Sequence, residues 1–527
     1  MTKQSMRRIV LLALAMLGFS GCAAVLPVNA PEASQIAQST VVQPSPTTSP
    51  TLPPMEEMAT VTPTAAAPTA AGTSVPPEIT AEPDNTVAQD SLGDDYYPEL
   101  GNGGYDALHY TLDLDVDVAD NTISGTLTMQ ARATSDLSDF NLDFLGLEIS
   151  EIQVGDQAAT FARAGRELTI TPSRPLANGD EFEVAVTYAG QPRPIVPEAV
   201  PLRMGWNRYP GGVYVVSEPE AAATWYPVND HPLDKATYTF LITVPEPLVV
   251  ATNGQLQDTL DNGTTTTYHW ETRDPMASYL ATVNIAEFVA DTATGPEGLP
   301  LRNYIPATLA DQGRQTFAPT GDMIAYFNTV FGPYPFEAYG AVVADADLGF
   351  ALETQTLSVF GRDVVLAPPE LAETVVAHEL AHQWFGNSVS VEEWRDIWLA
   401  EGFATYAEWL WQEHTGGQAA RDAVIRSAYA QFDPQLPPPG TPPPDNLFNQ
   451  SVYVRGGLTL HALRVRVGDD DFFDILRAYS QRFRYGNATT SDFVALAEQV
   501  AAQDLQRLFN DWLFEQPLPP LSELDLR

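Results

Sequence analysis

The chain has 527 residues, 44% of them hydrophobic and nine of them Trp, which is enough apolar material for two or three domains with buried cores. Its 26 basic and 68 acidic residues give a formal net charge of −42. A surface of that sign repels phosphate backbones and anionic headgroups, which argues against nucleic acid as a partner.

The N-terminus reads as an export signal. Lys3, Arg7 and Arg8 precede an apolar run over residues 9–17 that is too short to span a bilayer. Ser20, Gly21 and Cys22 follow, and they resemble the box at which bacterial prolipoproteins are cut and acylated, with Phe19 where that box usually has Leu. Two outcomes stay open: a lipid on Cys22 that makes the membrane a partner, or cleavage beyond it and plain secretion. Cys22 is the only cysteine, so no intrachain disulfide can form. Residues 1–22 are assigned to a signal peptide with a lipobox-like end, and the protein is expected outside the cytoplasm, tethered to the outer side of the cell membrane or secreted. Residues 23–92 are dominated by Pro, Thr, Ala and Ser and offer little for a core, which predicts a disordered stalk.

Residues 93–300 are expected to form a β domain. Apolar and polar residues alternate over 109–118, 122–129 and 183–188, the period of half-buried strands. Turn signals at Asn178-Gly179-Asp180 and Asp261-Asn262-Gly263 separate such runs, which predicts an antiparallel, sandwich-like fold. Asp113, Asp115 and Asp117 alternate along the first run. They read as a solvated strand face, because the Gly-turn loop of a calcium hand is missing.

Residues 301–527 change texture to helices, predicted over 371–385, 397–413, 458–467, 471–482 and 491–501 with brief strands before them. Pro368 and Pro369 stand where the first of these begins, and Gly386-Asn387 where it should end. The proline-rich run over 436–445 is expected to be an irregular connector.

Within the first of these helices, His378 and His382 are four residues apart and face one side. Two neutral imidazoles at that spacing can share one Zn²⁺, and Glu379, about 100° round the helix, can act on an activated water as general base. A catalytic site needs a third protein ligand. Glu401, after eighteen intervening residues, supplies a carboxylate from the next helix. The alternative motif with a third histidine would need Gly at 385 and His at 388, where this chain has Phe385 and Ser388.

The stretch H-E-L-A-H-Q-W-F-G-N over 378–387, the eighteen-residue gap and W-L-A-E-G-F-A over 398–404 together resemble the aminopeptidase N family of gluzincin metallopeptidases. The likeness extends through F-G-P-Y-P-F over 331–336 and Y-V-R-G-G over 453–457. It implies a saddle-like N-terminal β domain followed by a thermolysin-like, mainly helical catalytic domain, with no room for the large helical C-terminal domain of many members. It also implies that Tyr453 stabilises the oxyanion, with Arg455 where the family has lysine. The exopeptidase strand of the family aligns with residues 349–355. Glu353 then grips the substrate's free α-amine while the backbone of Gly349 and Ala351 meets the peptide; Phe350, Leu352 and Thr354 replace the family's Gly, Met and Asn. Glu218 takes the place of a second amine anchor from the β domain. The implied activity is removal of N-terminal residues from extracellular peptides with a free N-terminus, using one Zn²⁺. A zinc endopeptidase or other amide hydrolase on the same fold, and a non-catalytic surface binding module, are the alternatives.

Overall fold

The computed structural model describes residues 91–526, so the leader, Cys22 and the stalk up to residue 90 lie outside the described residues. In the first half, period-two alternation yields strands with one buried face. Along Tyr105–Asp117, Tyr110, Leu112, Leu114 and Val116 are buried while Asp113, Asp115 and Asp117 face solvent. This strand lies fourth in an eight-stranded sheet, ordered Gln255–Asp261, Thr265–Met276, Ala236–Pro245, Tyr105–Asp117, Thr122–Ala133, Glu181–Gly190, Glu148–Val154 and Gln157–Ala158. One pairing departs from the expected antiparallel pattern: Tyr105–Asp117 and Ala236–Pro245 run parallel, with His109 beside Thr237. A parallel neighbour requires a long crossover, and here the intervening chain supplies further strands of this sheet and of two smaller ones.

Those smaller sheets have three strands (Phe140–Asp143, Glu167–Thr171, Thr160–Ala164) and four strands (Val249–Thr252, Val283–Ala286, Gly212–Val216, Gly205–Tyr209). Phe140, Ile170, Val215 and Ile285 join Tyr110 and Leu112 in one apolar core. Burying each such side chain contributes about 1.5–3 kcal/mol before the entropy of ordering is counted.

The second half is built on a five-stranded sheet, ordered Phe288–Thr294, Pro300–Pro306, Tyr339–Ala344, Ser358–Gly361 and Ala351–Leu352. Phe288–Thr294 and Pro300–Pro306 pair as one hairpin, so this sheet begins ahead of residue 300. Around this sheet lie α1 (Ala310–Phe317), α2 (Thr320–Phe331), α3 (Pro369–Ala381), α4 (Trp398–Gly416), α5 (Gln418–Gln431), α6 (Gly456–Val467), α7 (Asp469–Arg482), α8 (Thr490–Ala501) and α9 (Gln506–Leu513). α1, α2, α5 and α9 go beyond the sequence reading. The 436–445 run is irregular until a 3₁₀ turn at Pro444–Asn446.

Polar contacts between the halves reach segments that carry the site. Lys235, the only lysine among the described residues, donates from Nζ to the carbonyls of Asn387 (3.0 Å), Ser388 (3.2 Å) and Gly486 (2.9 Å). Burial pushes its pKa down to about 7. Asn253 Nδ2 donates to the Gln355 carbonyl at 2.8 Å, and the Gly254 N–H donates to Thr356 Oγ1 at 2.8 Å. The buried Arg302 guanidinium bridges the two halves, donating to the Thr356 carbonyl at 3.1 Å and to the Thr252 carbonyl at 3.2 Å. The loop after Glu353 and the turn after α3 are thereby fixed to the β half.

Candidate metal centre and active site

Pro369 opens α3 where its missing N–H is not needed, and Glu370 in the first turn suits the positive end of the helix dipole. Val376, Ala377, Leu380 and Ala381 are buried and set the helix's rotation, so His378 and His382 project on one side. α3 ends at Ala381, short of the predicted residue 385. The N–H groups of Asn387, Ser388 and Val389 bond instead to the carbonyls of His382, Gln383 and Trp384 at 3.0, 3.2 and 3.2 Å, and the chain reverses at Gly386 with φ +124°. A Cβ on Gly386 would come within 3.2 Å of His382 Nδ1, so the bare turn leaves that imidazole its space.

α4 brings Glu401 against the two histidines. Glu401 Oε2 lies 3.2 Å from His378 Nε2 and 3.5 Å from His382 Nε2, and one ligand atom from each residue falls within 4.8 Å of the others. The remaining ring nitrogens are engaged, His378 Nδ1 with Glu408 Oε1 at 2.7 Å and His382 Nδ1 with the Phe385 carbonyl at 3.0 Å. Both Nε2 atoms therefore face the same point as the Glu401 carboxylate. Two imidazoles oriented by outer partners, with one carboxylate, are a donor set that fits catalytic zinc.

Charges in the pocket follow from burial and neighbours. Burial alone would raise Glu401, yet His382 and His378 outweigh it and hold the carboxyl down at about 2. Burial opposes protonation of His378, but hydrogen bonds to Glu401 and Glu408 lift it well above the usual imidazole range. Burial pushes Glu379 up to about 8 against the pull of both histidines.

Tyr453 reaches the centre on a five-residue π-turn, Ser451–Arg455, that leads into α6. Such wide turns recur at functional sites because they re-aim a side chain. α4 and α6 meet at Gly402 and Gly456, where a Cβ on Gly456 would stand 2.9 Å from Gly402 Cα. That approach leaves the Tyr453 ring 6.1 Å from the His378 ring at an interplanar angle of 22°. Arg455 is fully buried and donates to the carbonyls of Trp512 (2.7 Å), Asp511 (3.0 Å) and Glu515, tying the π-turn to the C-terminal end of α9. Burial, then the charges of Glu401 and Glu218, keep the Tyr453 phenol well above its ordinary pKa and so a hydrogen-bond donor.

Glu353 follows the edge strand Ala351–Leu352, which pairs on one side with Ser358–Gly361. Its main-chain carbonyl accepts from Gln383 Nε2 (3.0 Å) and Asn387 Nδ2 (2.7 Å), while Gln383 Oε1 accepts the Thr356 N–H at 2.9 Å. Leu352 and Thr354 are buried. Gly349 sits ahead of the strand with φ +75°, and its N–H is engaged by Asp363 Oδ2 at 2.9 Å; Ala351 is half-buried on the strand itself. Glu353 and Glu218 are 3% and 6% exposed, and each keeps one carboxylate oxygen without a hydrogen-bond partner. Burial raises both carboxyls; Glu353 pushes Glu218 higher, while His382 pulls Glu353 down. Buried carboxylates in that state are suited to meet a cation.

The structure thus brings His378, Glu379, His382, Glu401, Tyr453, Glu353 and Glu218 within electrostatic reach of one another. Sequence reasoning missed Glu408, Gln383, Asn387 and Asp363. Glu408 carried a signal, since it stands seven residues after Glu401 on the same face of α4. Gln383 and Asn387 lie inside the ten-residue motif without a role being legible.

Residues 106–280 match the peptidase M1 N-terminal domain, and residues 316–512 match the peptidase family M1 domain. The crystal structure of an M1 zinc metallopeptidase from Deinococcus radiodurans is 32% identical and superposes with a TM-score of 0.76, over 82% of this chain and 98% of that one. The chain belongs to peptidase family M1. A variant of the D. radiodurans protein with a Tyr-Ser-Ala substrate bound matches with the same identity and TM-score over 99% of its length. Aminopeptidase M1 of Arabidopsis thaliana is 24% identical over 454 residues, 78% of this chain and 50% of that protein. The chain spans about half the length of such curated relatives. Both halves, mostly β and then mainly helical, follow the two-domain order of family M1.

Because Glu408 orients His378, Glu408→Ala should weaken zinc binding about 10- to 100-fold with the fold retained. Competition with a chromophoric chelator measures this, and unchanged affinity would remove Glu408 from the metal centre.

Proposed function

We propose that the protein is a zinc aminopeptidase that releases N-terminal residues from extracellular peptides. The observation that carries this reading is the pair of buried, partly unpartnered carboxylates, Glu353 and Glu218, beside the metal-binding triad. An ammonium group is the cation of matching charge that a peptide brings. Holding it there leaves the first peptide bond, rather than an internal one, beside the metal ligands.

Zinc held by His378, His382 and Glu401 supplies Lewis acidity toward the scissile carbonyl and acidifies a water. Glu379 takes the proton of the attacking water and returns it to the leaving amine, a task for which burial has tuned its carboxyl upward. Tyr453 donates its phenol hydrogen to the oxyanion as charge develops there. The edge strand Ala351–Leu352 offers its open side to the peptide backbone. Selection is by position: Glu353 and Glu218 hold the N-terminus, and the chain beyond it extends along the edge.

Zinc content measured together with cleavage of free and N-acetylated aminoacyl substrates tests the reading. About one zinc per chain is expected, with acetylated substrates left intact and Glu379→Gln keeping its metal while losing nearly all turnover. Equal cleavage of blocked and free substrates would favour an endopeptidase or general amidase, and retained activity in metal-loaded Glu379→Gln would sink the general-base assignment. We also propose export with a lipid on Cys22, supported by the basic start, the apolar run and the Ser20-Gly21-Cys22 box. Mass spectrometry of the mature N-terminal peptide should find acylated Cys22; an N-terminus beyond residue 22 would show plain secretion.

A further inference from the structure

We propose that Arg166 is a positioning residue for the substrate amine: it fixes the loop that carries Glu218 and so sets how tightly a free N-terminus is held. The inference rests on the aminopeptidase reading and extends it to a residue of the β half remote in sequence from every motif above.

Arg166 lies in the turn between Thr160–Ala164 and Glu167–Thr171, and its guanidinium is the hub of a cluster of three carboxylates. Nε donates to Asp143 Oδ1 at 2.9 Å, one terminal nitrogen to Glu220 Oε2 at 2.9 Å, and the other to the Glu220 main-chain carbonyl at 3.0 Å. That last nitrogen is also 3.5 Å from Asp230 Oδ2. The Asp143 and Asp230 side chains are fully buried, whereas that of Glu220 is 21% exposed.

Glu220 is two residues beyond Glu218, so Arg166 holds the loop by side chain and backbone together. The same cluster secures the loop's far end. Asp230 Oδ2 accepts the Ala223 N–H at 3.2 Å, the Leu145 N–H donates to the Ala223 carbonyl at 2.8 Å, and the Ala221 N–H closes the turn onto the Ser217 carbonyl at 2.8 Å. Burial and then the nearby Glu353, Glu401 and Glu379 all work against an ionised Glu218, so a held backbone is what keeps its carboxyl available to a substrate's ammonium. Arg166, engaged by Asp143, Asp230 and Glu220, acts on Glu218 through the chain. A planar fork suits this task, since it meets one residue's side-chain and main-chain oxygens at once, which a lysine ammonium does poorly.

Two variants test the tether. Glu220→Ala removes its side-chain arm and leaves the buried Asp143 and Asp230 paired with Arg166. Arg166→Lys keeps a cation between those aspartates but loses the fork. Steady-state kinetics on a free aminoacyl anilide, with zinc content and thermal melting measured alongside, should show KM raised about five- to tenfold in both variants, kcat within about twofold, and zinc unchanged. KM within about twofold of the parent in both folded variants would overturn the inference. So would a joint fall of kcat, zinc content and melting temperature, which marks a merely structural anchor. The parent enzyme, assayed on free and acetylated substrates, separates the two levels: equal cleavage there refutes the aminopeptidase reading and this inference with it, whereas discrimination by the parent with unmoved variants refutes the role of Arg166 alone.

Discussion

Four glutamates, Glu218, Glu353, Glu379 and Glu401, are buried within Coulombic reach of one another. A protein interior accepts such a group only where positive charge meets it, and the pocket divides the task. His378 and His382 stand against Glu401 and hold it ionised, which is the arrangement of a metal centre. Glu353 and Glu218 are pushed the other way and keep oxygens unpartnered. In the proposed reading one subset meets a metal and the other a substrate's ammonium, with Glu379 as the group that moves protons.

The scaffold spends its polar contacts on keeping these charges in register. Gln383 and Asn387, at the end of the metal helix, hold the carbonyl of Glu353, so the turn after the ligand His382 also fixes the proposed amine anchor. Lys235 from the β half binds the carbonyls of Asn387 and Ser388 in that turn. Gly402 and Gly456 let α4 and α6 approach closely enough for the π-turn to set Tyr453 beside His378. Removing any of these leaves the ligands in the sequence but loosens their geometry, to which catalysis is sensitive at the ångström scale.

The metal centre was legible in the sequence because helix geometry alone turns a four-residue spacing into a shared face, wherever the helix is later placed. The β half was legible through alternation, down to the solvated Asp113, Asp115 and Asp117. The parallel pairing of Tyr105–Asp117 with Ala236–Pro245 was not, since alternation says nothing about which strands become neighbours. α3 ends ahead of the sequence expectation because Gln383, Trp384 and Phe385 continue a helical pattern, while tertiary demands on Gln383 and longer-range backbone bonds end the helix earlier. α5 escaped notice because Ile425 is its one buried residue, leaving almost no apolar stripe. Arg166 meets partners 23 and 54 residues away, a separation at which no local pattern survives. Glu218 and Glu353 were found through the family resemblance; their burial and open valences became visible only in three dimensions.

In the proposed function, paired buried carboxylates direct the metal centre to the first peptide bond. Time-resolved mass spectrometry of an unblocked synthetic peptide incubated with the zinc-loaded protein addresses it most directly. An aminopeptidase should give a ladder in which residues leave singly from the N-terminus, each shortened peptide appearing before the next. Internal fragments present from the earliest times, with the N-terminal residue still attached, would contradict it.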